Sequence, residues 1–529
     1  MHNGNLILEL VAIKRHWPRS RPSACLVEEP QTGDNAGFPS YRDGLPILAA
    51  ASGLILALAM PKPGVWALSW VGLVPLFLAL RGAAPSRAAL CGLVSGLVYF
   101  GVILFWVSLF GYLPWALLAA IQAAAMAAFA VAARFLQPTR IGWLGYVATP
   151  AAWTTLQWVR SLGPYAFTWG SFAHTQAANL PVAQIASLTG PWGIDFLVCL
   201  VNLALAGLIA PNGSRRYAPA GVAVGLIAVC AGFGLANLST QPSAKQSVKV
   251  AVIQARLVTN LQEAMAADPD FPARAFEAYA SMSLRAATAR PDVIVWPETA
   301  LGARIEDPGW GWYIARLAEA SRADYLVGGY DPSEHGDYNA VHLYDSRGRK
   351  SGVYRKVRLV PFGEFVPLRS LLPIARRYGV RDEDVRPARR HVLLRSSIGQ
   401  IGVSICFESL FPQVARSETR HGAVALFVLT NDSWFERTQA ARQHAMMSTL
   451  RAIENGRWLV RCAATGISAV IDPRGRTVEE IGLYRSRTIN ARIGTLEGLT
   501  PYARLGDYFA YACALCTLVC LIGLRRRRR

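Results

Sequence analysis

Three positions in the second half of the chain place reactive side chains at the expected ends of strands. Cys406 ends the alternating run Ile401-Gly402-Val403-Ser404-Ile405, which reads as a buried strand, and Phe407-Glu408-Ser409 then opens a turn or helix. A nucleophile at a sharp strand-to-helix turn stands clear of its sheet, with backbone N–H groups beside it that can stabilise an oxyanion. Glu298 follows Val293-Ile294-Val295-Trp296, beyond a proline that ends the ladder. Lys356 closes Tyr354-Arg355-Lys356, just before the run Leu359–Phe365 with its Glu364. A thiol needs a base, or a nearby cation, to become a thiolate near neutral pH, and acyl chemistry needs positive charge where the tetrahedral oxygen forms. Glu298 could supply the base and Lys356 the cation. Each residue alone has a plainer reading: surface glutamate, surface lysine, inert core cysteine. The chemistry rests on the three together.

These positions need a scaffold, and the stretch from about 240 to 505 reads as one. Short β-type runs recur at Val248–Ile253, Val293–Trp296, Tyr325–Gly329, Val341–Tyr344, Ile401–Ile405, Ala425–Leu429 and Ile467–Ile471. Helical patterns lie between several of them, as at Ala273–Arg290 and Tyr313–Arg322. Strands alternating with helices predict an α/β layered domain.

The remainder is different in kind. Apolar segments follow one another at Leu45–Met60, Val65–Leu80, Ala88–Leu109, Trp115–Ala133, Ile141–Val159, Trp192–Ile209 and Ala220–Leu238, with another at Tyr508–Leu524. The first two are short for a ~30 Å hydrocarbon core and read as a tilted hairpin, while the others are long enough to span. Arg81, Arg87, Arg134, Arg140, Arg215 and Arg216 fall in alternate loops, whereas Phe110–Pro114 and Ser161–Pro191 hold no Lys or Arg. Lys62 and Arg160 run against this bias. The balance puts the N-terminus, the even loops and the Arg525–Arg529 tail in the cytoplasm and residues 240–505 outside. The expected organisation is therefore a cytoplasmic, disordered segment at 1–44 and a transmembrane bundle of about seven helices at 45–239. An extracytoplasmic domain at 240–505 follows, then a final transmembrane helix with its arginine tail at 506–529. Leu6–Ile13 makes a poor signal-peptide core, so the start is expected to stay uncleaved. Asp195, the one acid inside a predicted span, lies near its outer end, where interfacial solvation is expected.

Composition agrees. Hydrophobic residues make up 53% and charged residues 17%, which leans toward a membrane protein. The net charge of +20 lies largely in short loops and the tail, which suits membrane topology and argues against a nucleic-acid partner. Of nine cysteines, only Cys406 and Cys462 fall in the large polar region, so no disulfide framework is expected. Cys513 and Cys516 form a C-x-x-C inside an apolar run with no second ligand pair, which reads as packing. No metal and no cofactor are implied.

Longer blocks carry a resemblance. WPET at 296–299, YRKVRLVPFGEFVP at 354–367 and GVSICFESLFP at 402–412 resemble the catalytic blocks of the nitrilase, or carbon–nitrogen hydrolase, superfamily. Asn431-Asp432-Ser433-Trp434-Phe435, Gln443-His444, Arg451–Arg457, Gly466–Ile471, Trp70–Leu76 and Leu188-Thr189-Gly190 narrow it to the apolipoprotein N-acyltransferase family. The resemblance implies an αββα sandwich inserted among about eight transmembrane helices, in a bacterial inner membrane with the sandwich on the periplasmic side. It implies Cys406 as nucleophile, Glu298 as general base and Lys356 as oxyanion stabiliser. Glu364 and Glu408 match acids beside that triad, Phe407 stands where the family often has Tyr, and Trp434 matches an aromatic near the pocket. The implied reaction moves an acyl chain from a phosphatidylethanolamine-like phospholipid, through a cysteine thioester, to the α-amino group of a diacylglyceryl-cysteine on an apolipoprotein. The chain departs from the family pattern after Gln254, where Ala255-Arg256-Leu257 replaces a Gly-Asn-Ile-like turn, and at Cys462–Thr465. His444 reads as structural, because Glu298 already fills the base role. Three other readings remain: a membrane-anchored amidase of a small soluble amide, a divergent paralogue with another acceptor, and a transporter or scaffold with a catalytically dead outer module.

Overall fold

The computed structural model describes residues 45–209, 217–240, 242–257, 268–306, 309–365 and 385–526. The expectations for residues 1–44 and for the last three arginines lie outside the described residues.

Apolar helices dominate the first part: α1 (Leu45–Ala59), α2 (Pro85–Ile103), α3 (Tyr112–Leu136), α4 (Gly145–Val159), α5 (Pro191–Ile209) and α6 (Tyr217–Ser239), with a further helix at Tyr508–Arg526. By length and composition five segments among the described residues can cross a membrane: Pro85–Ile103, Tyr112–Val159, Pro191–Ile209, Tyr217–Ser239 and Tyr508–Arg526. The second of these breaks between α3 and α4, and α4, like α1, has 15 residues against the ~20 that a full crossing asks. This is a multi-span membrane region.

The segment Val65–Leu80 does not form the expected single helix. It is a 3-10 turn at Trp66–Trp70 followed by a short helix at Val74–Ala79. Pro75 stands at the start of that short helix, and a Cβ on Gly72 would meet the Leu56 side chain at 2.6 Å. Irregular backbone in an apolar setting needs hydrogen-bond partners from its neighbours. Here Ser52 Oγ donates to Gly72 O at 2.6 Å, and Asn202 Oδ1 of α5 accepts from Leu73 N at 2.7 Å.

Asp195 also departs from expectation: it is fully buried rather than solvated at an interface. Its Oδ2 accepts from Ser171 Oγ at 2.8 Å and its Oδ1 from Ala173 N at 3.2 Å. The acid thus fastens the 161–191 connection, a series of short helices, onto α5.

The α/β part is two mixed six-stranded sheets. One runs β12-β1-β2-β3-β4-β5 and the other β11-β10-β9-β8-β7-β6. The strands are β1 (Ser247–Gln254), β2 (Val293–Val295), β3 (Asp324–Asp331), β4 (Tyr338–Tyr344), β5 (Lys350–Arg355), β6 (Leu394–Ser396), β7 (Gly399–Ile405), β8 (Ala425–Thr430), β9 (Leu459–Ala463), β10 (Ser468–Ile471), β11 (Thr477–Ile481) and β12 (Arg487–Gly494). Their inward residues, such as Val250, Val295 and Leu326 against Val403, Phe427 and Val460, form the core between the sheets. Helices α7 (Phe271–Ala287) and α8 (Trp310–Ser321) cover the first sheet through Ala275, Tyr279, Ile314 and Ala318. Helices α9 (Pro412–Arg420) and α10 (Ala440–Asn455) flank the second. Their Val414, Ala440, Met447 and Leu450 also join the apolar core built by the membrane helices. The layers are α-β-β-α, as the sequence resemblance implies, and one outer helix layer is shared with the membrane region.

Candidate active site

The strand ends bring the sequence-predicted residues together. Glu298 lies three residues past β2, where the chain passes so close to β3 that a Cβ on Gly328 would meet Pro297 O at 2.3 Å and Glu298 Cα at 2.6 Å. Lys356 directly follows β5 and is tied to β4 by its own N–H, which donates to Asn339 O at 2.8 Å. Cys406 directly follows β7, at φ 51°, and begins a 3-10 turn that runs to Leu410. That left-handed backbone is costly for a non-glycine residue and makes a sharp elbow.

Lys356 is buried and its Nζ donates to Glu298 Oε1 at 3.2 Å and to Glu364 Oε1 at 2.9 Å. Asn339 Nδ2 bridges the same two oxygens, at 2.7 Å and 2.8 Å. Glu298 Oε2 accepts from Asn431 N at 2.7 Å, and Glu364 Oε2 from Val360 N at 2.8 Å. Burial opposes the Lys356 charge, but Glu298 and Glu364 outweigh it and hold its pKa well above the ordinary lysine value. The ammonium is a fixed cation. Burial pushes the Cys406 thiol up, the Glu298 charge adds to this, and Lys356 pulls the other way without prevailing. The resting group is therefore the thiol, and the site needs a base to use it. Alkylation of resting Cys406 by iodoacetamide should keep accelerating as pH rises past the ordinary thiol value of 9.0, with no plateau below it. Peptide mass spectrometry of the modified cysteine reads this directly.

Glu408, also buried, is the anchor of the elbow. Its Oε2 accepts from Ile405 N at 2.9 Å and Tyr354 OH at 2.8 Å, and its Oε1 from Val357 N at 2.8 Å and Arg358 N at 3.0 Å. One carboxylate thus joins the Cys406 turn to the Lys356 strand end. Glu408→Ala would leave the Ile405, Val357 and Arg358 N–H groups without this acceptor, a loss of roughly 3–5 kcal/mol that a thermal unfolding scan should detect.

Phe407 packs edge-on against Phe411 at 5.1 Å and faces Phe167 at 6.4 Å. Trp434 meets Phe110 at 6.2 Å, and its neighbour Phe435 meets Trp106 at 4.8 Å. Phe167, Phe110 and Trp106 belong to the membrane part, so the floor of the site is aromatic and shared. His444 touches the Cys406 backbone, 3.2 Å from its carbonyl oxygen, in keeping with the structural reading.

The family models match in two blocks: "Apolipoprotein N-acyltransferase N-terminal domain" over residues 52–204 and "Carbon-nitrogen hydrolase" over residues 249–498. An apolipoprotein N-acyltransferase of Geobacter metallireducens is 33% identical over 507 residues, covering 91% of this chain and 95% of that one. The chain belongs to the apolipoprotein N-acyltransferase family. Another such relative, from Gloeobacter violaceus, is 31% identical over 90% of this chain and 94% of its own length. Among solved structures, an amidase from Nesterenkonia sp. aligns with TM-score 0.36 at 16% identity, covering 50% of this chain and 95% of that one.

Against this apolipoprotein N-acyltransferase-family frame, the sequence reading missed Asn339. Its signal was present: an amide at an inward position of a strand otherwise filled by Val341 and Leu343. Gln254, where the chain leaves the family pattern, has a structural task. Its Nε2 donates to Gly466 O at 3.2 Å, Gly482 O at 3.1 Å and Arg485 O at 3.0 Å. The departure at 462 is likewise internal, since Cys462 lies in the core between the sheets.

Proposed function

We propose that this enzyme moves an acyl chain from a membrane phospholipid to the α-amino group of a diacylglyceryl-cysteine at the start of an apolipoprotein, by way of a thioester on Cys406. Glu298 takes the thiol proton as sulfur attacks the ester carbonyl, and the Lys356 ammonium stabilises the resulting oxyanion. Collapse breaks the C–O bond, and the lysophospholipid alkoxide leaves with the proton that Glu298 returns. The amine then attacks the thioester, Glu298 accepts its proton, and collapse releases the amide and the Cys406 sulfur, which recovers its proton. Glu364 and Asn339 hold Lys356 and Glu298 in register, and Glu408 holds the elbow. Phospholipid donor, apolipoprotein acceptor and membrane are the partners of this reading. It sets residues 45–239 and 506–526 as membrane-embedded and 240–505 on the periplasmic side of a bacterial inner membrane.

The observation that carries this reading is the joint between site and membrane helices. The elbow residue Leu410 accepts through its carbonyl from Thr168 Oγ1 at 3.1 Å, and Phe407 and Trp434 rest on Phe167 and Phe110. Beside this joint a broad, open and largely apolar groove of about 520 Å3 is lined by Leu97, Val98, Gly101, Val102, Phe105 and Trp115, with Gln439 of the α/β part at its edge. A soluble amide has no use for such a groove, whereas an acyl chain does. Water kept from the thioester favours transfer over hydrolysis.

The test is to incubate the purified protein with acyl-labelled phosphatidylethanolamine and a diacylglyceryl-cysteine peptide. The label should move to the peptide amine, with little free fatty acid. Free fatty acid as the main product, unchanged by the peptide, would favour a hydrolase.

A further inference from the structure

His444 sits on α10, is buried, and faces the nucleophile from the backbone side. Its Nε2 is 3.2 Å from Cys406 O and 3.0 Å from Ser409 Oγ, and the Ser409 hydroxyl itself donates to Cys406 O at 2.7 Å. Its Nδ1 is 3.0 Å from Asp432 Oδ1 and 3.0 Å from Arg461 Nη2. Asp432 is in turn held by Arg461 Nη2 at 2.8 Å and Thr430 Oγ1 at 2.8 Å. Nδ1 thus lies between a carboxylate and a guanidinium, while Nε2 faces only acceptors, the Cys406 carbonyl and a Ser409 hydroxyl whose own proton goes to that carbonyl. Nε2 therefore carries a proton and points it at the Cys406 carbonyl. The carbonyl of a residue at φ 51° is thus gripped by two side chains, Ser409 and His444.

The other side of the imidazole belongs to the membrane region. The Trp169 ring stacks on it at 6.0 Å and 28°. Trp169 Nε1 donates to Gln443 Oε1 at 2.6 Å, and Gln443 Nε2 donates to Pro61 O at 2.7 Å, just beyond α1. Two consecutive residues of α10 therefore connect the membrane part to the strained elbow.

We propose that His444 is a positioning residue for the nucleophile: it fixes the Cys406 carbonyl so that the left-handed elbow aims the thiol, while Trp169 and Gln443 brace it from the membrane side. This rests on the reading of Cys406 as nucleophile. An unpinned peptide plane lets the sulfur swing, and a displacement of about 1 Å from attack geometry can cost about 10²-fold in rate. The membrane segment thereby becomes part of the thiol's alignment as well as an anchor.

The test uses the full-length protein and two readouts: kcat and KM for phospholipid, and the rate of iodoacetamide alkylation of Cys406 at pH 9. For His444→Ala, kcat should fall about 10²-fold with KM within about 2-fold, and the alkylation rate should change by about 5-fold or more. His444→Gln, whose amide N–H can still reach the carbonyl, should recover at least about a tenth of the wild-type kcat. Trp169→Phe keeps an aromatic ring but loses the indole N–H and its Gln443 bond, and should lower kcat about 3-fold with KM unchanged. Should His444→Ala fail to fold, Ser409→Ala removes the other grip and should lower kcat about 10-fold at constant KM. Wild-type kcat and wild-type alkylation in His444→Ala would overturn the proposal, as would equal loss in the Ala and Gln variants. Wild-type kcat in both Ser409→Ala and Trp169→Phe would overturn it where His444→Ala cannot be made. Alkylation needs no acyl donor, so a failure of the phospholipid reading would show separately, as a wild-type protein without acyl transfer whose alkylation still depends on His444.

Discussion

Glu298→Gln should yield a folded protein that forms its acyl-enzyme ~10³-fold more slowly. The substitution conserves shape and removes the base, and loss of a positioned general base typically costs ~10²–10⁴-fold. The site amplifies this because burial and the neighbouring carboxylate keep Cys406 protonated, so no resting thiolate remains as a fallback. The amide also meets a geometric conflict. Both oxygens of Glu298 are acceptors: Oε1 takes Asn339 Nδ2 and Lys356 Nζ, and Oε2 takes Asn431 N. Whichever way the amide is turned, its NH2 faces a donor, which costs roughly 1–3 kcal/mol of stability. Single-turnover acylation with labelled phospholipid, alongside a thermal unfolding scan, separates the two effects. Acylation within about tenfold of wild type would remove Glu298 from the role of base.

Lys356→Met should be the more damaging change for the fold as well as for the chemistry. The ammonium lies between Glu298 and Glu364, whose Oε1 atoms also share the Asn339 amide. Without it the buried Glu298 carboxylate and the partly buried Glu364 carboxylate are left side by side with no cation between them, a repulsive arrangement. The oxyanion then loses its cation, and Glu298 loses the partner that holds it in place. Acyl-enzyme formation should fall by ~10³-fold or more. Removing one partner of a buried ion pair commonly costs about 3–5 kcal/mol. Adding Glu364→Gln should recover much of that stability and none of the activity, because it relieves the repulsion without supplying a cation. If the double variant were no more stable than Lys356→Met, the charge balance described for this site would be wrong.

Lys356 was legible from the run it precedes, Leu359–Phe365 with its Glu364, whereas Glu298 and Cys406 were legible because each follows a strand whose apolar run is visible in the chain, so the residues after the run mark a strand end. The seven apolar strands were legible for the same reason. Those missed are at edges or carry charge: Lys350–Arg355 and Thr477–Ile481 place polar residues where a solvated edge tolerates them. Arg487–Gly494 did carry a signal, with Ile489, Ala491 and Ile493 alternating toward the core. The inward amide of Asn339 was visible but its role was not, because that depends on two carboxylates 25 and 41 residues away in the chain. The break at Gly72 and the burial of Asp195 were illegible for a related reason. Both depend on a particular neighbour, Asn202 for one and the Ser171–Ala173 turn for the other, and hydropathy does not specify such pairs. The shared helix layer has the same origin. The Trp169–Gln443 bond joins residues 274 positions apart, which neither local pattern announces.

The central claim is that Cys406 carries a lipid-derived thioester. Intact-protein and peptide mass spectrometry after incubation with phosphatidylethanolamine tests it most directly. The account predicts an added acyl mass on the Cys406 peptide, removed by hydroxylamine, discharged by a diacylglyceryl-cysteine peptide and absent from Cys406→Ala. Transfer of acyl chain to the peptide without any adduct on Cys406, or an adduct that persists in Cys406→Ala, would contradict it.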